Sequence, residues 1–108
     1  MFYEEWMSSD PIAASRAVRK ITDKALLRHL ALFGRLSEVR QEALFQLDDP
    51  AIWKKAAKED TNSSVRRCAI RHISDLDFLQ EVLQEDSDLS VQKTAEAQRE
   101  KMFGHTSE

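Results

Sequence analysis

Few residues in the sequence could do chemistry on their own. Cys68 and His72 stand four apart, so on a helix thiol and imidazole lie one turn from each other, the spacing of a nucleophile and its base. No third residue is placed to orient that imidazole. Cys68 also falls beside an apolar stripe, where a buried small hydrophobe accounts for it. His29, His72 and His105 are too widely separated to give a His-x3-His metal pair. Asp48-Asp49 and Asp75-Asp77 sit at turns and read as helix caps rather than as an acid–base pair. Gly34 and Gly104 are the only glycines, which excludes a glycine-rich phosphate loop. The sequence therefore predicts no catalytic centre, no metal and no cofactor.

A second set of residues could bind rather than react. Ser15 and Arg19, Gln41 and Phe45, Arg67 and Arg71, and Lys93 and Ala97 are pairs four residues apart, each 26 residues after the last. Together they hold four bases, one aromatic ring and no acid. Such a strip suits carboxylates or phosphates. An exposed Phe45 would add an anchor for a partner. Alternatively, its ring tucks between adjacent helices.

The same spacing organises the elements that must carry these residues. Val39-Arg40, Val65-Arg66 and Val91-Gln92 recur at 26 residues. Ala17, Ala43, Ala69 and Ala95 keep the register, as do Ile21, Leu47 and Ile73. The pairs Leu26-Leu27, Ile52-Trp53 and Phe78-Leu79 form a second apolar set, continued by Leu30-Ala31, Ala56-Ala57 and Val82-Leu83. Both sets follow a helical stripe, so each unit reads as two short helices. Asp23, Asp49 and Asp75 punctuate the turns inside the units, Pro50 suits a first helical turn, and Gly34 marks a stop. Ser37, Ser64 and Ser90 are placed to start the helices at Val39, Val65 and Val91. The predicted helices span about 2–8, 10–21, 23–33, 37–47, 50–59, 63–73, 75–85 and 89–102. Each is too short to stand alone, so the pairs must bury their apolar faces on their neighbours.

Composition agrees with an all-α chain. The 108 residues are 42% hydrophobic and 32% charged, with 2 Gly and 2 Pro, too few for an all-β fold with frequent tight turns. One domain is expected at this length. A lone cysteine excludes a disulfide-stapled scaffold and points to the cytoplasm. No apolar run reaches the roughly 18–20 residues needed to span a membrane. The first ten residues hold two glutamates instead of the basic start of a signal peptide. Net charge is −3, distributed as −3 over residues 1–12, +4 over 13–47, −1 over 48–83 and −3 over 84–108. That balance and a pI near 5.6 disfavour a phosphate-driven nucleic-acid binder without excluding a local basic face.

At Asp60-Thr61-Asn62-Ser63-Ser64-Val65-Arg66-Arg67-Cys68-Ala69 the chain resembles a HEAT repeat, whose pattern is Asp, four residues, Val-Arg, two residues, Ala. Asp86 through Val91-Gln92 to Ala95 repeats it with Gln for Arg, and Gly34 through Val39-Arg40 to Ala43 with Gly for Asp. At 26 residues the units resemble the short leucine-rich-repeat variants or the HEAT-like repeats of the phycobilisome lyase group. The resemblance covers residues 13–101. It implies an α-solenoid of about four two-helix repeats: a cap over 1–12, repeats over 13–38, 39–64 and 65–90, a cap over 91–103 and a frayed tail over 104–108. It further implies that Arg40, Asp60, Arg66 and Asp86 form a structural ladder between units, which fits recurring guanidinium and carboxylate groups beside apolar columns. Glu96 and Arg99 replace apolar residues of earlier copies, as a polar C-terminal cap would. Phe2, Tyr3, Trp6 and Met7 read as an N-terminal cap helix or as an anchor for a partner.

In HEAT-like arrays the Val-Arg helix usually lines the concave side. The resemblance therefore implies a concave basic ridge of Arg19, Phe45, Arg67, Arg71 and Lys93 that holds an acidic segment or helix of another protein. The expected protein is a non-enzymatic scaffold, a monomer or weak homo-oligomer, that does not engage membranes. Nucleic acid on the same ridge, and a lyase-type subunit using Cys68 and His72, are the alternatives.

Overall fold

The computed structural model describes residues 5–103. Phe2, Tyr3 and the tail over 104–108 lie outside the described residues. All regular structure in the described part is helical: a 3-10 turn at Glu5–Met7, then α1 (Pro11–Val18), α2 (Lys24–Phe33), α3 (Ser37–Leu47), α4 (Pro50–Glu59), α5 (Ser63–Ile70), α6 (Leu76–Glu85) and α7 (Leu89–Met102). No helix among the described residues is long and apolar enough to cross a membrane. Contacts gather the chain into two compact units, one up to Ile52 and one from Trp53 onward.

In the first unit, Pro11 opens α1 and Asp10 caps it by accepting from the Ile12 amide at 3.1 Å. Ala14, Ala17 and Val18 are the buried face of α1. Asp23 caps α2 through the Ala25 and Leu26 amides, and Leu27, Leu30 and Ala31 turn inward. α3 packs against both helices with Val39, Ala43 and Leu44. It ends at Asp48, whose φ of 46° is the left-handed turn that stops a helix.

In the second unit, Asn62 caps α5, Asp75 caps α6 and Asp88 caps α7. Trp53, Val65, Ile70, Leu79 and Val91 are its largest fully buried side chains. α7 packs on α5 and α6. Both units bury apolar side chains only, and no buried side-chain N or O atom among the described residues lacks a hydrogen-bond partner.

Two expectations need correction. Helices predicted over 10–21 and 63–73 stop at Val18 and Ile70. Each tail tightens into i→i−3 bonds, Lys20 N–H to Ala17 O (3.1 Å) and Ile21 N–H to Val18 O (3.0 Å), then His72 N–H to Ala69 O (3.0 Å) and Ile73 N–H to Ile70 O (3.1 Å). The two tails occupy the same place in the 26-residue register. The serines, moreover, are not the caps. Asn62 and Asp88, two residues before Ser64 and Ser90, accept the free amides at 2.7 and 2.8 Å. At the matching place α3 has Leu36 and no side-chain cap.

The 26-residue register also reappears in side-chain bonding. Arg40 Nη1 donates to the Gly34 carbonyl at 2.8 Å, Arg66 Nη1 to the Asp60 carbonyl at 2.7 Å, and Gln92 Nε2 to the Asp86 carbonyl at 2.7 Å. Each donor reaches six residues back and clamps the turn before its own helix. Of the expected ladder residues, Arg66 and Asp86 meet as an ion pair with side chains 15% and 13% exposed. The Asp60 and Asp86 carboxylates accept the Asn62 and Asp88 amides, both at 2.9 Å, and so shape the turn that presents the next cap.

Gly34 is buried, and its φ of −55° is ordinary. Its requirement is space. A Cβ there would lie 2.7 Å from the Leu30 carbonyl oxygen and 2.9 Å from Val39 Cγ1.

Candidate functional site

The end of α5 and one face of α7 border a basic hollow in the second unit. Arg71 is the C-cap residue of α5, and its exposed side chain borders a depression of about 250 Å³. Lys93, Ala97 and Lys101 rise from α7 along one edge, four residues apart. At 1.5 Å per residue the two lysines stand about 12 Å apart along the helix axis. Ala97 between them is small and leaves the floor open. Thr94 and Gln98 complete the lining, and Gln98 is pinned by donating to the Ile73 carbonyl at 3.0 Å. Among the described residues, no carboxylate lines the depression.

Of the five ridge residues expected from sequence, Arg71 and Lys93 are therefore brought together. Arg67 is spent on local bonds: it donates to Ser90 Oγ at 2.7 Å, Ser64 Oγ at 3.0 Å and Ser63 Oγ at 3.4 Å. Arg19, in the first unit, pairs with Glu42 at 3.2 Å. Phe45, also in the first unit, is 48% exposed. Lys101 was missed because its column holds Asp23, Asp49 and Asp75 in the earlier copies. The signal that finds it is the four-residue step Lys93, Ala97, Lys101 on one helix.

The Cys68–His72 pair is not arranged for nucleophilic attack. Burial pushes the Cys68 thiol above its ordinary range, against the opposing charge of Arg71. A carbonyl can only accept, so His72 Nδ1–H donates to the Cys68 main-chain oxygen at 3.0 Å. The His72 ring stacks on Trp53, with centroids 4.1 Å apart and planes within 6°. Among the described residues, no group of three or more His, Cys, Asp or Glu side chains could hold a metal ion. His105 lies outside them.

α4 and α6 present a face of paired charges. Lys54 bonds Asp75 at 2.7 Å, and Lys58 bonds Glu81 at 2.7 Å and Glu85 at 3.3 Å. Both ammonium groups also hover over the Phe78 ring, at 5.8 and 5.6 Å. The Lys54 hydrogen bond and the Phe78 amide hold the Asp75 carboxyl below its ordinary range, and the Glu81 bond raises Lys58. The cations of this face are neutralised by neighbours, in contrast to those around the depression.

The chain matches no protein-family model, no curated protein and no solved structure.

Proposed function

We propose that the chain is a non-enzymatic protein-interaction module of the short HEAT-like type, an α-solenoid of about four two-helix repeats with capping ends. In this reading the depression between Arg71, Lys93 and Lys101 receives an acidic segment of a partner protein. One observation carries it: three cations surround a shallow hollow that, among the described residues, no carboxylate lines. Cations without local partners retain their full attraction for an incoming carboxylate. The clamp that recurs at Arg40, Arg66 and Gln92 supports the repeat reading. The raised Cys68 thiol weighs against the one nucleophile the sequence offers. A lone free cysteine fits a cytoplasmic protein.

The test is direct. A fluorescent glutamate-rich helical peptide of about 12 residues, long enough to span both lysines, is titrated at low salt and followed by anisotropy. Saturable binding that weakens at least about tenfold in the Arg71→Glu, Lys93→Glu double variant supports the reading. Equal binding by the variant overturns it. A preference for labelled duplex DNA over the peptide would move the site to nucleic acid, which the net charge of −3 disfavours.

A further inference from the structure

The first unit holds a groove unrelated to the basic depression, with a volume of about 450 Å³. Trp6 and Met7, Phe33 of α2, and Leu36 supply its apolar lining. Phe33 is 69% exposed and Met7 52% exposed, so this apolar lining faces solvent. The floor is held in place: the Gly34 amide donates to the Leu30 carbonyl at 2.9 Å, and Arg40 clamps the Gly34 carbonyl at 2.8 Å. Three polar side chains join the lining: Ser8, His29 and Arg35. His29 lies against Phe33, ring centroids 5.3 Å apart, and Arg35 brings a guanidinium that makes no ion pair among the described residues. Among the described residues, no carboxylate lines the groove.

Size, an aromatic lining and a fixed floor are the features of a small-molecule site. Its polar part specifies charge. A planar guanidinium without an ion pair among the described residues, in one lining with an imidazole, matches a carboxylate held by two parallel hydrogen bonds. The aromatic rings of Trp6 and Phe33 in the lining suit contact with a ring or short alkyl chain. We propose that this groove binds a small aryl-alkyl carboxylate, with its ring against Trp6 and Phe33 and its carboxylate on Arg35. The site is independent of the acidic-partner reading, since it shares no residue with the depression in the second unit.

The test uses phenylbutyrate and its neutral analogue phenylbutanol on the full chain, followed through the Trp6 indole N–H signal in NMR spectra. The proposal expects a saturable shift with phenylbutyrate at a Kd on the order of 1 mM or below. It expects phenylbutanol, and phenylbutyrate with the Arg35→Gln variant, to bind at least about tenfold more weakly. Arg35 is exposed, so its variant should fold, and the alcohol comparison needs no variant at all. No saturable shift at about 10 mM, or equal binding of acid and alcohol, overturns the proposal. So does occupation of the groove by the chain itself, seen as Phe2 or Tyr3 cross-peaks to Phe33 with no ligand response.

Discussion

Arg66 and Asp86 meet at 2.8 Å through Nε, while Nη1 of the same guanidinium holds the Asp60 carbonyl at 2.7 Å. One side chain thus ties a turn and a distant carboxylate to the start of α5. The two bonds can be removed separately. Arg66→Ala should cost about 2–3 kcal/mol, because it leaves a mostly buried carboxylate unpaired. Arg66→Gln keeps the carbonyl bond, as Gln92 does at its own turn, and should cost about half as much. Urea denaturation of the two variants checks this, and equal losses would refute the division.

Gly34→Ala should destabilise the first unit by about 1–3 kcal/mol, the usual cost of forcing a methyl into filled space. The new Cβ has no room between the Leu30 carbonyl oxygen and Val39 Cγ1. Thermal unfolding measures it. An unchanged midpoint would mean that the α2–α3 turn relaxes freely.

Acid should weaken the α4–α6 contact. The Asp75 carboxyl lies below its ordinary range because Lys54 bonds it and the Phe78 amide adds to this. Its contribution is therefore present above the unfolded value of about 4 and lost as pH falls through the lower folded value. Lys58 runs the other way: raised by Glu81, it contributes fully below its ordinary 10.5 and loses that contribution as pH rises through the folded value. Lys54→Met should flatten the drop in Tm between about pH 5 and pH 2. An unaltered acid limb would rule out Asp75 as a source of that drop.

Cys68 should resist alkylation while the chain is folded. It is 8% exposed, and burial raises its thiol. Iodoacetamide labelling near neutral pH should be at least about a hundredfold slower in buffer than in urea. Comparable rates would show that α5 opens readily.

Much of this architecture was readable from residue types. Asp23, Asp49 and Asp75 accept the first amides of α2, α4 and α6, so their side chains announced those starts. The early ends of α1 and α5 were not readable. Ile21 and Ile73 continue the apolar stripe although their amides have switched to i→i−3 bonding. Periodicity records which side of the chain is apolar, not which carbonyl an amide chooses. The candidate site was half readable. Arg71 and Lys93 follow from their columns, but Arg67 and Arg19 lie in the same columns and are engaged by Ser90 and Glu42. Spacing gives the face of a helix, and the neighbouring element decides which cations on it stay available.

The clamps by Arg40, Arg66 and Gln92 share one further property: the acceptor is always a main-chain oxygen. It belongs to Gly34, Asp60 or Asp86, and no side chain of these residues is part of the bond. The joint therefore takes either a guanidinium or an amide on the donating side. For an engineer, the donating position is the freer half of each joint, since position 34 has no room for a side chain and the Asp86 carboxylate is itself paired with Arg66. Either an arginine or a glutamine as the fourth residue of its helix finds the oxygen six residues back.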